Sequence, residues 1–138
     1  IARTNMLSAA LMGATAFQKG LGAIHSLSHP IGAIYNTHHG TTNAVVMENV
    51  INFNKEMIVE KVDQICSFLS ISGGFNGFTN FVNELCNNLG IPKRLSDLGV
   101  KEDQLGLISE MAVVDPTASG NPIKLTTRNT LELLKNCF

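Results

Sequence analysis

Apolar and small residues recur at three- and four-residue spacing along almost the whole chain, and that period admits helices and little else. From Met6 to Phe17 the recurring set is Met6, Ala9, Ala10, Gly13, Ala14 and Phe17. Residues so spaced share one helix face, and small ones predict close packing against a neighbouring helix. After the interruption Gly20-Leu21-Gly22, a second apolar segment runs from Ala23 to Tyr35 and a third from Thr42 to Phe53. Val62, Ile65, Cys66 and Leu69 give one apolar face to a helix from Val59 to Leu69. Gly73-Gly74-Phe75-Asn76-Gly77 reads as a loop. The next helix, Phe78 to Leu89, is closed by Gly90 and followed by Pro92. Leu95 to Gly99 reads as a turn, Glu102 to Val113 as a helix and Asp115 to Pro122 as a polar loop. Thr126 is suited to cap a last helix whose apolar residues are Leu131, Leu133 and Leu134. No sustained alternation and no hairpin signal is found. The expectation is an all-α, multi-helix bundle of roughly seven helices.

The composition fits a packed domain. Of 138 residues, 44% are hydrophobic and 15% charged, which excludes a disordered chain. The net charge is −1 and the ten basic residues are scattered, so no nucleic-acid footprint is visible. No apolar run reaches the ~18 residues of a membrane span. The chain opens on Ile1-Ala2-Arg3-Thr4-Asn5-Met6, without an initiator Met or a signal peptide, and already in helical register. The expectation is that the sequence begins inside a larger protein. Cys66, Cys86 and Cys137 are odd in number and far apart. They read as reduced, mostly buried thiols of a cytoplasmic protein.

All four histidines, His25, His29, His38 and His39, fall between positions 25 and 39. Neutral imidazole is a good ligand for Fe, Zn, Ni or Cu, and a metal site gathers such groups. His25 and His29 are four apart and share a helix face. His39 stands just before Gly40, where a short helix followed by a reversal would return it to the first two. Spacing alone leaves metal binding or catalysis level with a packing feature. A zinc-protease motif is not supported, because Ser26 stands where that chemistry needs a Glu. Pro30 lies inside the helical pattern, where it removes one backbone hydrogen bond and bends the helix.

The run Gly20-Leu21-Gly22-Ala23-Ile24-His25-Ser26-Leu27-Ser28-His29-Pro30-Ile31-Gly32-Ala33, followed by Tyr35-Asn36-Thr37-His38-His39-Gly40, resembles the second signature of the iron-containing (group III) alcohol dehydrogenases. Asn43-Ala44-Val45-Val46-Met47, Val50-Ile51-Asn52-Phe53-Asn54, the lead-in Ala2 to Phe17, Asn121-Pro122 and Leu125-Thr126 are similar to that family as well. The resemblance covers nearly the whole chain. It implies that residues 1–138 are the C-terminal helical, metal-binding domain of a dehydroquinate synthase-like fold, without the N-terminal nucleotide-binding domain. It further implies reversible hydride transfer between a small alcohol or aldehyde and NAD(P), with Fe²⁺ as Lewis acid and Zn²⁺ as the alternative metal. By position, His25 and His39 match two of the family's His ligands, and His29 matches a catalytic proton-relay residue. The remaining ligands and the phosphate-binding loop would lie upstream of Ile1. The Gly-rich Gly73 to Gly77 run follows a helix rather than a strand and is rejected as that loop. Where the family commonly has Pro, this chain has His38, which competes with His39 for the ligand role. Phe17 and Thr117 are weak candidates for the substrate pocket; a core aromatic and a plain loop residue are the preferred readings. The implied partners are the substrate and the chain's own N-terminal domain, with a homo-oligomer left open and no nucleic acid or membrane. Two alternatives stand beside the enzyme: a non-catalytic helical module of the same ancestry, and an unrelated metalloprotein.

Overall fold

Leu27 and Ile31 have no exposed surface, and neither do Val46, Ile108 and Leu134, which come from distant parts of the sequence. The element carrying Leu27 and Ile31 is therefore central. A computed structural model describes residues Ile1–Phe138 as seven α-helices with no strand. They are α1 (Ala2–Phe17), α2 (Ala23–Tyr35), α3 (His39–Phe53), α4 (Lys55–Leu69), α5 (Gly74–Asn88), α6 (Leu105–Val114) and α7 (Thr127–Asn136). Short 3-10 turns cover Leu95–Leu98, Glu102–Gln104 and Pro116–Gly120. The all-α expectation holds, and so does the count of helices. None is long and apolar enough to cross a membrane.

The main core joins Ala23, Leu27 and Ile31 of α2 to Val45, Val46 and Val50 of α3, Ile108 and Ala112 of α6, and Leu133 and Leu134 of α7. α2 also buries Ser26 and Ser28, whose hydroxyls donate back to the carbonyls of Ala23 and His25. That back-bonding lets two polar residues sit in an apolar interior. α2 runs through Pro30 without a break and ends at Asn36, which adopts the left-handed conformation at φ 52° and returns its N–H to Gly32. Asn tolerates that region better than other non-Gly residues. The link Asn36–His38 then delivers α3 across α2. At the other end, Thr126 caps α7 as expected: its hydroxyl accepts from Asn129 N–H, and the Asn129 side chain accepts from Thr126 N–H.

Three expectations need correction. Gly74 to Gly77 is not a loop but the first turn of α5. Phe75 is buried there against Val62 and Cys66 in a second, smaller core, under the ammonium of Lys55. Aromatic burial outweighed the low helix propensity of the glycines. Gly77 has its own reason: a Cβ at that position would overlap the Ser72 carbonyl. The second correction concerns α1, which buries none of its residues. Its small-residue face meets no helix of this chain, and Met6, Leu7, Leu11 and Met12 are exposed. The third is Phe17, which is 51% exposed and not a core aromatic.

A partly buried amide pair ties the molecule together behind α2. Asn54, only 5% exposed, donates to Asn121 Oδ1 at 2.9 Å and accepts from Asn121 Nδ2 at 2.8 Å. Asn121 Oδ1 also accepts from Ala23 N–H at the start of α2, and its Nδ2 donates to Ile123 O. Beside it, Gly120 passes so close to the Leu21 carbonyl that no Cβ fits. The pair thus fixes the α3–α4 corner and the 116–122 segment against the end of α2 that carries His25.

Candidate metal centre

His25 sits in the first turn of α2 and His29 one turn later on the same face. His39 opens α3, and the crossing of the two helices carries its ring to both. The ring centroids of His25 and His39 are 5.2 Å apart, those of His25 and His29 5.8 Å, and those of His29 and His39 5.6 Å, the last two planes nearly parallel. Three of the four histidines therefore form one cluster. Phe17, at the end of α1, lays its ring edge-on to His25 at 6.3 Å.

His38 is held apart from the other three. It is the N-cap of α3, and its Nδ1 accepts from the Thr41 backbone N–H at 3.2 Å. The same nitrogen lies 3.1 Å from the Thr41 hydroxyl. A capping residue starts the helix and so explains why α3 begins earlier than its apolar pattern suggests.

Two residues that the sequence did not single out complete the cluster. Asn43, one turn after His39 on α3, places Nδ2 3.4 Å from His25 Nε2 and 3.1 Å from His39 Nε2. Asp115, between α6 and the last 3-10 turn, places Oδ2 2.9 Å from His29 Nδ1. The Asn43 signal was available, because it repeats the four-residue step that links His25 to His29. The Asp115 contact spans 86 positions, and no local pattern announces it. Thr117 is bonded to Asp115 rather than presented to a pocket: its N–H donates to Asp115 Oδ1 at 2.8 Å and its hydroxyl at 2.5 Å.

The electrostatics follow from this packing. Burial lowers the pKa of His25, and the neighbouring His39 and His29 lower it further, against a smaller opposing pull from Asp115. Neutral imidazole, the ligating form, is thereby favoured. Burial pushes the Asp115 carboxyl up, but hydrogen bonds from Thr117 and His29 outweigh it and leave the group below its usual value. Asp115 is thus held as a carboxylate and His29 is its donor through Nδ1–H, which leaves His29 Nε2 free to accept.

The donor set suits a borderline transition metal. Two imidazole Nε2 atoms converge on one amide nitrogen, so their lone pairs are directed to a shared place, and Asn43 Oδ1 is buried there without a partner. Imidazole is the ligand type for Fe²⁺ or Zn²⁺. The chain does not gather three or more His, Cys, Asp or Glu donors into one set. Beside His25 a cleft of about 440 Å³ opens between the end of α1 and α3, walled by Leu21, Val50, Ile51 and Asn121. A smaller cleft of about 180 Å³ between α3 and α5 contains no histidine.

Comparison with known proteins bears on the family and the fold. The profile described as Fe-containing alcohol dehydrogenase family, C-terminal, matches residues 1–138. The chain is 35% identical over 143 residues to the 4-hydroxybutyrate dehydrogenase of Cupriavidus necator, covering 97% of the chain and 37% of that relative. It is 33% identical over 145 residues to the 1,3-propanediol dehydrogenase of Citrobacter freundii, covering 99% of the chain and 38% of that relative. The crystal structure of a 1,3-propanediol oxidoreductase superposes with a TM-score of 0.80 at 30% identity, over 86% of this chain and 33% of the other. The chain thus spans well under half the length of these relatives. A profile match from first residue to last, on a helical fold shared with a solved relative, places the chain in the Fe-containing alcohol dehydrogenase family, within the C-terminal part.

Proposed function

We propose that this chain is the helical part of a metal- and NAD(P)-dependent alcohol dehydrogenase, with His25 and His39 as two metal ligands and His29 as proton relay. The observation that carries the reading is the convergence of His25 Nε2 and His39 Nε2 beside a His29 held by Asp115. Lewis acidity at the substrate oxygen is what Fe²⁺, or Zn²⁺ in its place, supplies when bound, and hydride acceptance is what the nicotinamide supplies. The chain's own residues do the rest. Asp115 fixes the ring plane and tautomer of His29. His29 Nε2 takes the hydroxyl proton of an alcohol, or returns one to an aldehyde, and passes it to solvent through its exposed edge. Leu21, Val50 and Ile51 shield the substrate carbon chain from water in the cleft beside His25. The substrate is a small alcohol or aldehyde, the upstream partner is the chain's own nucleotide-binding domain, and the full protein is cytoplasmic.

Turnover of the full-length protein tests this reading. His29→Ala should lower kcat for NAD(P)-dependent alcohol oxidation by about a hundredfold, the low end of acid–base effects, with metal content unchanged. A His29→Ala protein that loses its metal would show His29 to be a ligand. The separate chain should bind Fe²⁺ or Zn²⁺ weakly, because two imidazoles leave a four-coordinate site half built. It should also show no NAD(P)-dependent turnover. Submicromolar affinity in an anaerobic calorimetric titration would contradict this and add His38 to the ligand set.

A further inference from the structure

Asn43 Nδ2 contacts the Nε2 atoms of two different histidines, while its Oδ1 is buried and bonded to nothing. A primary amide nitrogen carries two N–H donors, one for each of two acceptors. Both rings can accept only if both are unprotonated at Nε2. A neutral imidazole in that state keeps its proton on Nδ1 and presents the Nε2 lone pair, which is the form a cation binds. Turning the amide round would aim Oδ1 at the rings and favour Nε2–H, the form that cannot ligate. It would also strand two buried donors in place of one carbonyl. The stranded Oδ1 is therefore the smaller loss, and the arrangement favours metal readiness.

We propose that Asn43 is a positioning residue of the metal centre, whose carboxamide holds His25 and His39 together in the ligating tautomer before a cation arrives. The inference rests on His25 and His39 being ligands. It has a second consequence. A lone pair given to a cation is no longer available to Nδ2, so loading the site frees the Asn43 amide from the rings.

The test uses full-length protein stripped of metal, ¹⁵N-labelled in His and Asn, with Zn²⁺ as a diamagnetic probe. In the wild type, His25 and His39 should both show an unprotonated Nε2, and the Asn43 side-chain amide signal should shift on adding Zn²⁺. Asn43→Leu keeps the shape without donors. It should give mixed tautomers and weaken Zn²⁺ binding by about 10–100-fold, the range for residues that orient metal ligands. Asn43→Asp offers acceptors only, so it should move a proton onto Nε2 in the metal-free protein. It is read by tautomer alone, because a carboxylate can itself bind Zn²⁺. Wild-type tautomers in both variants, with unchanged Zn²⁺ affinity in Asn43→Leu, would overturn the proposal. If His25→Ala and His39→Ala lose Zn²⁺ while Asn43→Leu behaves as wild type, only this inference fails. If the two alanine variants keep full affinity, the ligand assignment fails and takes the inference with it.

Discussion

Full-length protein carrying His25→Ala or His39→Ala is expected to emerge from gel filtration without its metal. Residues that merely orient a ligand cost about 10–100-fold in affinity when removed, and a ligand itself costs more. A loss beyond about a hundredfold turns a retained metal into one that leaves during purification. Elemental analysis of the eluted protein reads the result directly. The helices should survive both changes, because neither ring is part of the main core. His39 is exposed, and its place in the first turn of α3 is set by the His38 cap rather than by its own contacts. The decisive comparison is therefore His38→Ala, which should keep the metal and cost only the cap, about 1 kcal/mol. Metal lost from His38→Ala and kept in His39→Ala would exchange the two roles.

That comparison also marks how far the sequence could be read. The period of the apolar residues was enough to identify the seven helices, and the clustering of histidines marked a candidate site without deciding between metal binding and packing. Two adjacent imidazoles do not by themselves disclose which of His38 and His39 faces His25; the resemblance chose His39, and its ring does lie beside that of His25. The choice depends on the backbone angles of a three-residue link, where His38 is extended at ψ 117° and His39 is already helical. The Gly73 to Gly77 segment misled for a related reason: local propensity is a weak prior, and burial of Phe75 overrides it. α1 misled in the other direction. Its spacing correctly gave a helix, but a face of small residues says only that something could pack there. Asp115 was hidden by distance, since its link to His29 exists only once α6 has packed on α2.

The same dependence on distant packing makes Asn121 the position where a conservative change should do most harm to the fold. Asn121→Ala removes both partners of the Asn54 amide and the acceptor of Ala23 N–H. Each buried polar group left unsatisfied costs about 1–3 kcal/mol. Asn54 cannot recover its loss from water, being nearly enclosed. A destabilisation of about 3 kcal/mol or more is expected, a large part of the roughly 5–15 kcal/mol that holds a domain together. Urea unfolding measures it as a shift of midpoint at constant slope. The physical cause separates from simple loss of volume in a double-mutant cycle. If unsatisfied amide groups carry the cost, adding Asn54→Leu to Asn121→Leu should restore stability relative to either single change, because both ends of the pair then become apolar. If packing carries it, the two losses add.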